Sequence, residues 1–184
     1  MSKILFTLVF FTSLFVCGQT GSTVSNLEKV LPTNWTVFSN DSYYIEFPAH
    51  WELNQQKELG AEFFLFSKLR SEEDEFRESV NLLKQDISGY YLDLDEYAKL
   101  TVGQIENLLE NGKIIESSRV LNTTKNFHKL IFTGTQNNRK LKFEQYFWVV
   151  GDDAFILTFT SVANQFDDYQ KEAEGILNSF VLKL

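Results

Sequence analysis

The chain has 184 residues, of which 43% are hydrophobic and 15% aromatic, so it is long and apolar enough for one folded domain and is not a disordered chain. Its net charge of −8 argues against nucleic acid and anionic lipid as partners, because basic side chains are not in excess to neutralise phosphates. The single cysteine excludes a disulfide framework and a cysteine-cluster metal site.

Residues 1–18 have the pattern of a signal peptide. Lys3 supplies a positive start, and the apolar run Ile4–Val16 has 13 residues. That run is shorter than the roughly 20 residues that a transmembrane helix needs. The residues before Gln19 predict cleavage between Gly18 and Gln19. We therefore expect an exported protein, periplasmic or secreted, with no transmembrane helix after cleavage.

Cys17 offers an alternative, in which lipid attached to this residue makes the protein an envelope lipoprotein. The residue before it is Val16 rather than the usual Gly, Ala or Ser, so cleavage at Gly18 is the favoured interpretation. The predicted organisation is a signal peptide over 1–18, a flexible N-terminal linker over 19–30 and a single domain over 31–184.

The first part of the domain is predicted to be β-rich. Trp35–Phe38 and Tyr43–Phe47 flank a polar turn and predict a hairpin, which Pro48 ends. Apolar residues then predict strands over Ala61–Leu69 and Ser79–Ile87, with an acidic loop between them.

A helix is predicted to begin at Asp93, because Asp93 and Glu96 have the spacing of a capping box, and Asn111-Gly112 is expected to stop it. Asn164 is expected to cap a second helix. Four strands lie between the helices: Lys113–Leu121, Asn126–Thr135, Arg139–Val150 and Asp153–Ser161.

Alternate residues in the last two strands are apolar on both sides. Tyr146 and Trp148 face away from Phe147, for example, and both positions need cover from water. The pattern predicts an α+β fold in which a central, mostly antiparallel β-sheet is covered by helices on both faces.

The sequence contains no recognised catalytic motif. Its two histidines, His50 and His128, are far apart: His128 alternates with Leu130 and Phe132 along a strand, and His50 lies in an exposed turn. We expect no enzymatic activity, metal or cofactor, and keep an uncharacterised hydrolase that uses one histidine as an alternative.

Two charged segments are best explained by solubility. Glu72, Glu73, Asp74 and Glu75 lack the ligand spacing and central glycine of a calcium loop, so they predict a solvated loop. The basic cluster of Arg139, Lys140 and Lys142 is typical of charge that flanks an apolar strand.

The candidate binding residues are Tyr90 and Tyr91, adjacent tyrosines in a glycine-containing loop just before the first helix. Together they offer aromatic surface and hydroxyl donors to a partner. The alternative is that one of them packs under the helix as a hydrophobic staple.

The segment Tyr44-Ile45-Glu46-Phe47-Pro48-Ala49-His50-Trp51 resembles the opening signature of PsbP-like domains, and the order of later elements is also similar. The resemblance implies an α/β/α sandwich and a role in binding rather than catalysis. We therefore expect an exported accessory module that acts through a protein partner in the bacterial envelope. The alternative is a carrier of a small apolar ligand, suggested by the 18 phenylalanines.

Overall fold

The computed structural model describes residues 34–57, 60–122 and 124–183. The predicted signal peptide, Cys17 and the linker lie outside the described residues, so these predictions stay untested. In the described part of the chain, neither helix is long and apolar enough to cross a membrane.

The strands are β1 Trp35–Ser39, β2 Tyr43–Pro48, β3 Glu52–Asn54, β4 Ala61–Phe66, β5 Ser79–Asp86, β6 Lys113–Leu121, β7 Asn126–Gln136, β8 Arg139–Val150, β9 Asp153–Val162 and β10 Val181–Leu182. The helices are α1 Leu94–Leu108, between β5 and β6, and α2 Phe166–Ser179, between β9 and β10.

The strands form two sheets. The large sheet has seven strands in the order β3-β4-β5-β9-β8-β7-β6, and the small sheet has the order β1-β2-β10. Each strand pair among the described residues is antiparallel. This confirms the predicted α+β fold with an antiparallel sheet.

Side chains of the large sheet alternate between two hydrophobic cores. On β9, Phe155, Leu157 and Phe159 belong to the cluster that contains buried residues of α2 and β2, here called the α2 core. Ala154 and Ile156 belong to the cluster that contains buried residues of α1, here called the α1 core. The two-sided apolar pattern thus reflects two separate cores.

The beginning of α1 is as predicted. The backbone N–H of Glu96 donates to Asp93 Oδ1 at 2.8 Å, and the N–H of Asp93 donates to Glu96 Oε2 at 3.0 Å. Beyond the helix, Asn111 has the left-handed conformation, with φ of 53°. Gly112 is required for space, because a Cβ there would overlap the carbonyl oxygen of Ile105.

Three local predictions differ from the structure. The residue that caps α2 is Gln165 rather than Asn164, and it makes no side-chain capping bond because its backbone is already helical. The strand predicted to reach Leu69 ends at Phe66. The short strands β3 and β10 were not predicted, because segments of three and two residues show no measurable alternation.

Two glycines near α1 should respond oppositely to alanine. Gly103 lies within the helix with open space around its Cα, so Gly103→Ala should raise the free energy of unfolding by about 1 kcal/mol. Gly112→Ala should lower it by about 1–3 kcal/mol, because the added methyl meets backbone. Urea denaturation of both variants checks this, and changes of the same sign would contradict it.

Candidate functional site

The loop that carries Tyr90 and Tyr91 connects β5 to α1. Ile87 anchors its start: the side chain is buried, and the backbone N–H donates to the carbonyl of Asp152 at 2.8 Å. The N–H of Tyr90 donates to the carbonyl of Ile87 at 3.2 Å, which closes a turn around Gly89. The loop is therefore attached to the β8–β9 turn.

Tyr91 is the most exposed of the large apolar side chains among the described residues, with 92% of its surface accessible, and Tyr90 is 42% exposed. Tyr91 also has a φ of 53°, which is uncommon for a bulky residue. Neither tyrosine acts as the staple of α1. Leu92, which directly precedes the cap Asp93, packs into the α1 core together with Tyr97.

His128 contacts a serine. Its Nε2 lies 2.9 Å from Ser117 Oγ on the neighbouring strand β6, while its Nδ1 is buried without a hydrogen-bond partner. In a catalytic triad a carboxylate accepts from Nδ1–H and stabilises the imidazolium. Here burial instead lowers the pKa of His128. The pair consequently lacks the group that would make Ser117 a strong nucleophile.

His50 belongs to a contact between the β2–β3 turn and α2. His50 Nε2 lies 3.3 Å from Glu172 Oε2, and the neighbouring Trp51 indole N–H donates to the same oxygen at 3.0 Å. The Trp51 ring is buried and packs edge-on against Tyr169. Trp51 therefore attaches this turn to α2.

The charged segments are at least partly exposed, and one ion pair joins them while a second joins the basic cluster to α2. Glu75 lies 3.4 Å from Arg139, and Asp167 lies 3.4 Å from Lys142. Within the described ranges, no group of three or more His, Cys, Asp and Glu side chains is arranged to hold a metal ion.

The phenylalanines that suggested an apolar-ligand carrier pack against one another. Phe132 and Phe143 stack with ring centroids 4.6 Å apart, and Phe159 and Phe166 are 5.1 Å apart. Both pairs are buried within the cores, so these contacts favour the interpretation that the rings fill the protein interior.

Sequence reasoning missed two fully buried carboxylates. Glu78 accepts hydrogen bonds from the hydroxyls of Ser67 and Ser161, both at 3.2 Å. Glu144 Oε1 lies 3.4 Å from Lys129 Nζ, and neither carboxylate oxygen of Glu144 has a hydrogen bond. Burial raises the pKa of Glu78 and of Glu144. For Glu144, the sequence contained a signal of burial, because alternation along β8 places this residue on the same face as Tyr146 and Trp148.

Comparison with known proteins extends this description. No family model and no curated protein matches the sequence. The solution structure of cyanobacterial PsbP (CyanoP) from Synechocystis sp. PCC 6803 matches with a TM-score of 0.57 and 11% identity, covering 87% of this chain and 99% of that one. LpqN, involved in cell envelope biogenesis of Mycobacterium tuberculosis, matches with a TM-score of 0.59 and 10% identity, covering 82% and 91%.

The fold is PsbP-like. PA94 of Pseudomonas aeruginosa, a protein of unknown function, is also similar, with a TM-score of 0.51 and 15% identity over 75% of this chain and 90% of that one. The resemblance inferred from the segment around Pro48 and Trp51 is thereby confirmed. At such low identity it is the fold that is shared, so the PsbP-like likeness assigns no site residue.

Glu78 supplies a test of the buried-carboxylate geometry. Its raised pKa means that the unfolded chain releases this proton at lower pH than the folded protein, so the folded state loses stability as pH rises above the ordinary value of 4.5. Glu78→Gln should therefore be more stable than the parent at about pH 8 by about 1 kcal/mol, and should lose this advantage near about pH 4.

Urea denaturation across this pH range measures the difference. Glu72→Gln, at an exposed position in the acidic loop, is the control and should leave the pH profile unchanged. A Glu78→Gln variant that is destabilised more at high pH than at low pH would mean that the folded protein favours the ionised carboxylate.

Proposed function

We propose that this protein is an exported, non-enzymatic binding module that acts through a protein partner in the bacterial envelope and contacts it with the Tyr90-Tyr91 loop. The observation that carries the proposal is the 92% exposure of Tyr91 on a loop anchored at both ends, by Ile87 and by the capping box of α1. Exposed aromatic side chains in anchored loops are typical of contact residues, because little conformational entropy is lost on binding.

Export is supported by the sequence of residues 1–18 and by the likeness to LpqN, a protein involved in cell envelope biogenesis. Periplasm and medium are both compatible with a cleaved signal peptide, and attachment through Cys17 stays the alternative. The non-enzymatic part of the proposal is supported by the Ser117–His128 pair, whose Nδ1 has no hydrogen-bond partner.

The architecture behind the proposal is an α/β/α sandwich. The alternation along β9 supports it, since Phe155 and Leu157 join the core of α2 whereas Ala154 and Ile156 join the core of α1. Because the side chains of the central strands are buried in these two cores, we assign contact with a partner to the loops.

Affinity enrichment with tagged mature protein, residues 19–184, from envelope and medium fractions of the source organism tests the proposal. The parent should retain a protein in stoichiometric amount, and the Tyr90→Ser/Tyr91→Ser variant should lose it. With the purified partner, the Kd should rise about tenfold or more, as expected for central aromatic contacts.

The matched control is Leu108→Ser/Leu121→Ser, which removes two apolar side chains that are 67% and 70% exposed elsewhere on the surface. It should bind like the parent. If the tyrosine variant retained the partner as well as the parent does, the loop would not be part of the interface. Turnover of an esterase, glycosidase or phosphatase substrate by the purified protein would refute the non-enzymatic part.

A further inference from the structure

We infer that the Tyr90-Tyr91 loop recognises a basic segment of its protein partner, one that presents arginine or lysine side chains. This inference rests on the proposed function and adds the chemistry of the partner. It comes from the charges that surround the two tyrosines.

Carboxylates stand on both sides of the loop, and we call four exposed ones the acidic rim: Asp86, Asp93, Glu96 and Asp152. Asp86 ends β5 two residues before the Ser88-Gly89 turn. Asp152 is brought to the same end of the loop by the hydrogen bond from Ile87 N–H to its carbonyl. Asp93 and Glu96 follow Tyr91 at the start of α1.

The acidic rim is partly compensated by the protein itself, because Asp93 and Glu96 each accept a backbone N–H in the cap of α1, but acidic side chains stay in excess around the loop. Two nearby cations form their ion pairs with acids outside the rim: Lys84 Nζ lies 2.8 Å from Asp153, and Arg119 pairs with Asp95. Hydrogen bonds from the side chain and backbone of Ser88 lower the pKa of Asp86, so this member is ionised at neutral pH. Lys99 is exposed one turn of α1 after Glu96, and the charge of Lys84 also contributes to the lowered pKa of Asp86. The loop that carries the two tyrosines thus has exposed carboxylates at both of its ends.

A cationic side chain satisfies both features of this surface. The guanidinium of arginine stacks on the face of a tyrosine ring, and its N–H groups donate to carboxylates. A phosphate group or an anionic membrane would meet repulsion from the acidic rim. A second copy of this chain is also disfavoured, since each copy carries a net charge of −8.

The test uses a short synthetic peptide of alternating Gly and Arg, and a matched peptide in which Glu replaces Arg. Amide chemical shifts of the mature protein are recorded during titration with each. We expect saturable shifts within residues 86–96 and 151–153 with the arginine peptide only, weakened by added salt. No saturable shift, or shifts centred on the acidic loop at residues 72–75, would overturn the inference.

Asp86→Asn/Asp152→Asn removes two charges from the acidic rim, while the side-chain amide oxygen introduced at position 86 can still accept from Ser88 N–H. We expect its Kd for the arginine peptide to rise about fivefold at low salt. The control, Glu72→Gln/Glu73→Gln, makes the same change in net charge at another exposed acidic site and should leave the Kd unchanged. Equal weakening in both variants would show a nonspecific effect of net charge and would overturn the inference.

The enriched partner separates this inference from the proposed function. If the tyrosine variant loses the partner but Asp86→Asn/Asp152→Asn retains it at the parent's affinity, the loop is the contact and the basic-segment inference is wrong. If both variants retain the partner, the proposed interface itself is wrong. Loss in both variants, with retention by the Glu72→Gln/Glu73→Gln control, supports both.

Discussion

Burial of strand β9 along almost its whole length is the constraint on which the rest of the fold depends. Residues 154–161 are all buried. A strand in this position needs hydrogen-bonded neighbours along both edges and apolar cover for both sets of alternating side chains. The neighbours are β5 and β8, and the cover comes from the α1 core and the α2 core. The helices and the small sheet are thus stabilised mainly by what they bury, more than by their own propensities.

Polar side chains inside these layers need partners of their own, and the two buried glutamates show different outcomes. Glu78 accepts hydrogen bonds from one hydroxyl on β9 and from another on the segment after β4, so neutral donors rather than a cation contact its carboxylate. Glu144 has an ion pair with Lys129 but no hydrogen bond. Because desolvation is costly for each, neither carboxylate is expected to stabilise the fold relative to a well-packed neutral side chain.

The strands from β6 to β9 were predicted almost to the residue because each combines a long alternating pattern with a short turn. Asn137 and Asn138 both have positive φ, as such a turn requires.

The cap of α1 was predictable because both partners lie within four residues. Contacts distant in sequence were not: Trp51 with Glu172, and Glu144 with Lys129, depend on strand order and helix placement, which local patterns do not specify. The tyrosine loop was identified from its residue types, but only the structure shows that Leu92, rather than a tyrosine, packs against the α1 core.

The similarity of this fold to structures at 10–15% identity has a physical explanation. Many sequences can satisfy the requirement for alternating apolar residues and short turns. Proteins with different individual side chains can therefore share the PsbP-like fold. Such a fold requires only a few specific residues in each loop. The β5–α1 loop is an example: it needs a buried Ile87 and a cap at Asp93, and between them packing does not require Tyr91 in a left-handed conformation with its ring in solvent. Stability of the fold therefore does not explain this side chain, which is unfavourable for its backbone and exposed to water, and it is the side chain that the proposed function assigns to contact with a partner.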